Sequence, residues 1–180
     1  MTGVDLDEGM LAIARTTVPE AVLVEADMRT MSLGRTFDAV VCLFSSVGYL
    51  TGTAELDQAV AAMASHLAPG GVLVVDGWIR PDAWTDGSTF SDVAIVGSTH
   101  VARVSRSIRE GTTTILEMAY LVATPAGIEH HEERHELTLF DDEAYRAAFR
   151  RAGLEPHVTA SPMPGRDRYV ATRPAGATRP

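Results

Sequence analysis

Lysine is absent from this 180-residue sequence, and all fifteen of its basic residues are arginine. Without a lysine amine, the chain cannot form a Schiff base with a carbonyl substrate, anchor pyridoxal phosphate or supply the lysine of a phosphate-binding P-loop. Function classes that depend on such a lysine are therefore excluded.

Cysteine and long apolar runs are also scarce. The one cysteine, Cys42, lies in the apolar run FDAVVCLF and is typical of a small hydrophobic residue in a buried strand. A single cysteine permits no disulfide framework, which favours a reducing cytosol. No apolar run reaches membrane-spanning length, and the N-terminus carries acids where a secretory signal would be basic. We therefore expect a soluble, cytoplasmic protein.

Length and charge narrow the class of protein further. Hydrophobic residues make up 46% of the sequence, enough at this length for one domain with a sizeable core. The formal net charge of -9 argues against non-specific binding to nucleic acid or to an anionic membrane. We expect a single domain over residues 1–174, followed by a frayed tail at 175–180.

The first 80 residues alternate between strand and helix patterns. An amphipathic helix follows Asp7, its predicted N-cap. A second helix follows Thr53, which can cap it, and is stopped by Pro69–Gly71. The predicted strands are the apolar runs AVLVEAD, FDAVVCLF and GVLVVDGW. This alternation favours an α/β fold with a doubly wound parallel sheet.

The remaining sequence follows a different pattern. Between Val93 and Leu139, β-branched stretches separated by EGT and PAG turns predict antiparallel strands that cover the first layer. A helix capped by Asp141 or Asp142 then ends at Gly153, before the short strands HVTAS and RYVATRP. We divide the domain into a cofactor-side α/β part (1–92), an antiparallel β cover (93–140) and a C-terminal helix with strands (141–174).

Three stretches, GVDLDEGML, EADMR and HLAPGGVLVVD, occur in order at the spacing of a known family. They resemble the motifs that follow the glycine-rich loop in class I S-adenosylmethionine-dependent methyltransferases. FSSVGYL, HHEERHELTLF, AYRAAFRRAGL and PGRDRYV make nearly the whole chain similar to the N-methyltransferases that make dimethylamino sugars on nucleotide carriers. The resemblance implies a Rossmann-like fold, S-adenosyl-L-methionine as cofactor and a nucleotide-linked deoxyaminosugar of antibiotic biosynthesis as substrate. It leaves a homodimer open.

Candidate cofactor residues lie at the ends of the first two strands. Asp5 can accept hydrogen bonds from both ribose hydroxyls, or it caps the following helix as a second N-cap residue. Leu6, the next residue, is also a candidate for contact with the cofactor. Asp27 can accept from the adenine amino group, or it is an ordinary turn aspartate. Met28 offers a polarizable surface and a backbone N–H beside the ring.

The end of the third strand supplies the next candidates. Phe44 and Ser45 are predicted to contact the cofactor and Ser46 the substrate, because ligands of open α/β sheets collect at the carboxyl ends of the strands. The alternative for Phe44 is a core residue.

Methyl transfer to a neutral amine depends chiefly on positioning, so a strong base is unnecessary. The resemblance makes Tyr49 in FSSVGYL the candidate group that accepts the ammonium proton or orients the amine. The alternative is that Tyr49 is an ordinary half-buried tyrosine. The resemblance also places Arg166 of PGRDR near the nucleotide diphosphate, an anion that suits a guanidinium fork. The alternative is that Arg166 is a surface arginine. Trp78 is a candidate to pack on the sugar or nucleotide of the substrate, and the alternative is that it packs only on the core. VDGWIRP and GRDRY depart from the family pattern.

The sequence also spells H-E-x-x-H at His131, Glu132 and His135, the arrangement of a zinc protease when it lies on a helix. A helix across IEHHEERHEL would have almost no apolar face. The residues that follow, LTLF, alternate between apolar and polar side chains as a strand does. In a strand the two histidines lie about 13 Å apart, too far to share a zinc ion. The sequence therefore predicts a strand and no metal.

No Gly-x-Gly-x-Gly occurs, although the resemblance implies a strand, a glycine-rich turn and a helix before Gly3. We therefore expect a truncated or misassigned methyltransferase reading frame. Two function classes remain: an N-methyltransferase, and a non-catalytic remnant that only binds a ligand or partner. A nicotinamide-dependent enzyme is a weaker third class, because nothing supplies hydride chemistry.

Overall fold

The computed structural model describes residues 1–161, 163 and 165–176. Part of the predicted tail, residues 177–180, lies outside the described residues. The elements, in chain order, are β1 (Thr2–Asp5), α1 (Glu8–Thr17), β2 (Val22–Glu25), β3 (Phe37–Cys42), a 3₁₀ turn (Ser46–Tyr49), α2 (Thr53–Ser65), β4 (Leu67–Asp76), β5 (Ser88–Val96), β6 (Thr99–Glu110), β7 (Thr113–Thr124), β8 (Gly127–Thr138), α3 (Asp142–Arg151), β9 (His157–Ala160) and β10 (Asp167–Thr172).

The strands form three sheets. β1 pairs in parallel with β2, and a second sheet has the order β3-β4-β10-β9, in which β3 and β4 are parallel and β10 is antiparallel to both neighbours. The third sheet is the antiparallel meander β5-β6-β7-β8. It begins at Ser88 instead of the predicted Val93, so β5 continues across the expected boundary at 92/93. No helix among the described residues is long and apolar enough to cross a membrane.

Helix boundaries follow local capping chemistry. The carboxylate of Asp7 accepts a hydrogen bond from the N–H of Met10, and that of Asp141 accepts one from the N–H of Ala144, as the sequence predicts for one of its two candidate aspartates. Gly153 follows α3 with φ of +76°, a conformation that glycine adopts at low cost. Thr53 is the first residue of α2 instead of its cap, because Gly52 occupies the N-cap position.

The segment Pro69–Gly71 is part of β4, although the sequence predicts it as a helix stop followed by a strand from Gly71. Gly70 donates its N–H to the carbonyl of Arg173, and the N–H of Arg173 donates to the carbonyl of Gly71. A Cβ at Gly71 would lie 2.9 Å from the carbonyl oxygen of Phe37. The tertiary pairing therefore extends the strand through residues that usually form a turn.

The main core lies between the second sheet and the helices α2 and α3. Tyr145 on α3 stacks on Tyr169 of β10 with ring centroids 4.4 Å apart, and both side chains are fully buried. Leu56 and Val60 of α2 are fully buried in the same cluster. A smaller cluster of Trp78, Leu137 and Leu139 joins β4 to β8 and so fixes the antiparallel sheet over the carboxyl end of β4.

Candidate active site

Asp5 ends β1 beside the start of α1. Its Oδ1 accepts a hydrogen bond of 2.9 Å from the N–H of Asp7, so the carboxylate orders the turn into the helix. The side chain remains exposed, and Leu6 is exposed beside it. Asp7 is the N-cap of α1. Among the described residues, the carboxylate of Asp5, for which a second capping role was the alternative, bonds only to the N–H of that cap residue. An exposed carboxylate is left at the strand end where ribose hydroxyls would be bound.

Asp27 is held by Arg29. The Nε of Arg29 lies 3.0 and 2.9 Å from the two carboxylate oxygens of Asp27, and the Arg29 N–H donates to Oδ1 at 2.8 Å. These hydrogen bonds lower the pKa of the Asp27 carboxyl. Arg29 also pairs with Glu55 of α2, which accepts the N–H of Thr51. This ionic bridge joins the end of β2 to the start of α2.

Met28 is partly buried and packs against the core cluster. Its side chain therefore supports the turn that carries Asp27. The sequence had no signal for the Arg29–Glu55 half of the bridge, because these two residues are 26 positions apart.

The turn after β3 has an unusual backbone. Phe44 and Ser45 are consecutive residues with φ of +54° and +61°, in the left-handed region that costs energy for residues other than glycine. The Ser45 hydroxyl is buried and donates to the carbonyl of Gly77 at 2.8 Å. Phe44, by contrast, is 89% exposed and is not a core residue. Such strain concentrates at ligand sites.

The 3₁₀ turn then carries Ser46 and Tyr49. Ser46 is half-buried, and its hydroxyl donates to the carbonyl of Leu43 in an exposed position. Tyr49 is 54% exposed, and its hydroxyl lies 2.7 Å from Nδ1 of His135 on β8. Burial and the charge of Glu133 raise the pKa of Tyr49. The antiparallel sheet therefore contributes a residue to the end of β3.

Trp78 and Arg166 contact each other. The Arg166 guanidinium lies 4.4 Å from the centroid of the Trp78 ring. Trp78 is buried, donates its N–H to the hydroxyl of Tyr145 and donates its indole N–H to the hydroxyl of Thr114. Burial lowers the pKa of Arg166, and the negative charge of Asp76 opposes that change. Trp78 is thus a packed residue whose ring supports a partly buried cation.

Four buried side-chain atoms in this region lack hydrogen-bond partners among the described residues: Oδ1 of Asp76, Nε1 of Trp84, Nε of Arg166 and Nε of Arg168. Nε of Arg168 lies 3.8 Å from that Asp76 oxygen, beyond hydrogen-bond distance. Asp76 ends β4, and sequence reasoning did not single it out. Its position at a strand end was the available signal.

The strand predicted for the H-E-x-x-H stretch is confirmed, since β8 spans Gly127–Thr138. His131 contacts Glu129, whereas His135 contacts Tyr49 and Glu133. No group of three or more metal-ligating side chains occurs in the part of the chain that the structure describes. His135 is the site residue that sequence reasoning missed, because we weighed it only as a zinc ligand.

A cavity of about 820 Å³ lies over the antiparallel sheet. Its lining includes Phe90, Arg106, Glu117 and Glu133. No predicted site residue lines it. The strand ends therefore remain the candidate site, with Glu133 lying between the cavity and His135.

Comparison with known proteins gives consistent matches. A family model described as a methyltransferase domain matches residues 1–71. The dTDP-3-amino-3,6-dideoxy-alpha-D-glucopyranose N,N-dimethyltransferase of Streptomyces fradiae is 48% identical over 179 residues, which are 98% of this chain and 70% of the relative. The dTDP-3-amino-3,4,6-trideoxy-alpha-D-glucopyranose N,N-dimethyltransferase of Streptomyces venezuelae is 46% identical over 169 residues, covering 93% of this chain and 71% of the relative.

Solved structures match as well. DesVI from Streptomyces venezuelae has a TM-score of 0.92 at 46% identity, over 97% of this chain and 74% of that one. CalS10, an amino pentose methyltransferase from Micromonospora echinaspora solved with SAM bound, has a TM-score of 0.87 at 46% identity, over 96% of this chain and 73% of that one. A methyltransferase from Clostridium acetobutylicum shares the fold at 17% identity, with a TM-score of 0.81.

Proposed function

Because this chain belongs to the class I S-adenosylmethionine-dependent methyltransferases, we propose that it methylates the amino group of a nucleotide-linked deoxyaminosugar in antibiotic biosynthesis. The membership confirms the predicted fold class, the enzyme class and the cofactor S-adenosyl-L-methionine. The substrate class is inferred from what the relatives named above act on. The observation that carries the proposal is the strained Phe44–Ser45 turn, which presents an exposed aromatic ring and leads directly into Tyr49.

The residues present fit the nucleoside half of the cofactor. Asp5 ends β1 with an exposed carboxylate that can accept from ribose hydroxyls. Phe44 is available to cover an aromatic base or the ribose, and Met28 supplies a backbone N–H on the neighbouring strand end. Asp27 would share its carboxylate between Arg29 and an adenine amino group. Leu6 and the buried Ser45 complete the proposed cofactor contacts.

When bound, S-adenosylmethionine supplies a methyl group on a positively charged sulfur. This chain's residues then have to hold an uncharged amine in line with that methyl group and to keep water away, since positioning accounts for much of the rate in such reactions. We assign the orienting role to the Tyr49 hydroxyl and a supporting contact with the sugar to Ser46. Both lie on the turn that Ser45 ties to Gly77.

Arg166 is proposed to bind the diphosphate of the substrate. Its guanidinium is partly buried, and its Nε has no hydrogen-bond partner among the described residues. An anion could use that donor, and the resulting charge-assisted bond would offset the cost of burying the cation. The Trp78 ring, whose centroid lies 4.4 Å from the guanidinium carbon of Arg166, holds the guanidinium in place.

We propose that the partners are small molecules only, that two chains can form a homodimer, and that the domain divides into the cofactor-side, cover and C-terminal parts predicted from the sequence. A reducing cytosol suits Cys42, because burial raises the pKa of its thiol to about 11 and so keeps it protonated.

The experiment is a methyl-transfer assay read by mass spectrometry. The chain is tested alone and as a chimera that supplies the part of the Streptomyces venezuelae relative that it does not cover. Methylation of a dTDP-linked aminosugar, with a much slower reaction on the free sugar, is the expected result. A chimera that binds the cofactor by calorimetry but methylates neither sugar would refute the proposed substrate class.

A further inference from the structure

Tyr49 is the first member of a chain of hydrogen bonds that leads into the antiparallel sheet. Its hydroxyl lies 2.7 Å from Nδ1 of His135, and Nε2 of His135 lies 3.3 Å from Oε2 of Glu133. The hydroxyl of Tyr120 donates to the same Glu133 oxygen at 3.2 Å. Tyr49 and His135 are 86 residues apart in the sequence, so only the packing of β8 against the 3₁₀ turn brings them together.

The chemistry of these groups fixes the direction of each bond. A glutamate carboxylate only accepts hydrogen bonds, so Nε2 of His135 must carry the proton that it donates to Glu133. Neutral His135 then has a free lone pair on Nδ1. The Tyr49 hydroxyl therefore donates to His135, and its own oxygen lone pairs remain available to a proton donor in the site.

We propose that His135, held in this tautomer by Glu133, is a positioning residue that receives the hydroxyl proton of Tyr49 during methyl transfer. This inference rests on the proposed function. The amine lone pair forms the new N–C bond while the C–S bond breaks and its electron pair stays on sulfur. The resulting ammonium gives one proton to Tyr49, which passes its hydroxyl proton to Nδ1 of His135. Glu133 stabilises the imidazolium.

The surroundings of His135 suit this role. Its side chain is 30% exposed, so the proton can pass to solvent after the reaction. Its register partner on β7 is the apolar Leu116, and Glu133 is the charged group that contacts the ring. Tyr49 approaches the ring from the 3₁₀ turn. The titratable and charged groups on the same face of the sheet include Glu129, His131 and Glu133 on β8, Tyr120 on β7 and Arg103 on β6, whereas Arg106, Glu117 and Arg134 project from the opposite face.

The first test does not depend on activity. Nitrogen-15 NMR of the histidine rings in the unmodified chain should show His135 with its proton on Nε2, and Tyr49→Phe should change the Nδ1 shift of His135. The same substitution should leave His131 unchanged, because that residue contacts Glu129 instead. A proton on Nδ1 of neutral His135 would overturn the inference even if the proposed function holds.

The second test separates proton acceptance from hydrogen bonding. In the active chimera, His135→Phe keeps a ring but removes the acceptor, and His135→Gln keeps an acceptor that does not titrate. We expect His135→Phe to lower kcat by about tenfold to a hundredfold with less change in the KM for the sugar. His135→Gln should restore part of kcat. His131→Gln is the matched control and should match the unmodified enzyme.

The outcomes distinguish the two hypotheses. If the chimera methylates no aminosugar, the proposed function fails while the NMR result still reports on the tautomer. If it methylates the substrate and His135→Phe retains full kcat, the proton-accepting role of His135 is wrong. If Tyr49→Phe and the double variant with His135→Phe lose the same factor in kcat, the two residues act as one unit, as proposed.

Discussion

The hydroxyl of Ser45 donates a hydrogen bond of 2.8 Å to the carbonyl oxygen of Gly77, and this buried contact ties the carboxyl end of β3 to that of β4. Ser45 makes the bond with its backbone in the left-handed region, directly after Phe44 in the same conformation. The two strand ends that carry the proposed cofactor and acceptor contacts are thus held together by one side chain.

Replacing Ser45 by alanine should destabilise the protein by about 1–3 kcal/mol, because the Gly77 carbonyl loses its buried donor. Urea unfolding measures the change. Ser46→Ala is the matched control, since the half-buried Ser46 makes its hydrogen bond to the Leu43 carbonyl in an exposed position, and it should cost about 0.5 kcal/mol or less. Equal losses for the two variants would show that the Ser45–Gly77 bond does not stabilise the strand ends.

Phe44→Gly should leave the protein as stable or make it more stable by about 1 kcal/mol, because glycine relieves the left-handed backbone of an exposed residue. The same variant should weaken cofactor binding by the chimera in calorimetry, since the exposed ring is lost. Phe90→Ala removes another exposed aromatic ring and should not change cofactor affinity. Retained affinity in Phe44→Gly would remove Phe44 from the site.

Asp5→Ala should weaken S-adenosylmethionine binding to the chimera by about 1–3 kcal/mol through the loss of charge-assisted hydrogen bonds to the ribose. Asp7→Ala is the matched control for the loss of a nearby carboxylate, because Asp7 caps α1 through the N–H of Met10. It should lower the free energy of unfolding by about 1 kcal/mol while leaving the affinity unchanged. Unchanged affinity in folded Asp5→Ala would exclude Asp5 as a cofactor contact.

Arg166→Ala should raise the KM for a nucleotide-linked aminosugar far more than the KM for the same sugar without its nucleotide. An arginine that binds the diphosphate acts remotely from the reacting amine, so kcat should change little. Arg35→Ala removes a comparable stacked cation, 4.9 Å from the Phe37 ring, at the opposite end of β3 and should leave both KM values unchanged. Equal effects of Arg166→Ala on the two sugars would refute the assignment.

The Asp27–Arg29 pair predicts a pH dependence of stability. Arg29 lowers the pKa of folded Asp27, so the pair stabilises the protein above the pKa of unfolded aspartate, near 4, and this contribution is lost as the pH falls through the lower folded pKa. Asp27→Asn should therefore destabilise the protein at pH 7 and much less in acid. A difference that stays constant across this range, measured by thermal unfolding, would contradict the pairing.

Several features were predictable because their causes are local. The hydrophobic periodicity of the first 80 residues indicated alternating helices and strands, and the β-branched stretches indicated the antiparallel sheet. Asp7 and Asp141 were identified as caps because a cap bonds to an N–H three residues ahead. The motif order at family spacing also identified the fold and the cofactor.

The candidate site was only partly predictable. The strand-end rule placed Phe44, Ser45 and Ser46 together, yet nothing in the sequence indicated the left-handed backbone or the bond to Gly77. Asp27 was predicted as a cofactor contact, but nothing in the sequence indicated that Arg29 binds its carboxylate and also pairs with Glu55, 26 positions further along the chain.

The sequence by itself determined the elements, their order and the family, since these depend on the spacing of apolar residues and on local hydrogen bonds. Only the tertiary structure decided that Pro69–Gly71 extends β4, because the partners Arg173 and Phe37 lie far away in the chain. It also decided that His135 contacts Tyr49. Side chains on separate sheets acquire a common neighbourhood only when the sheets pack, and no local pattern encodes that distance.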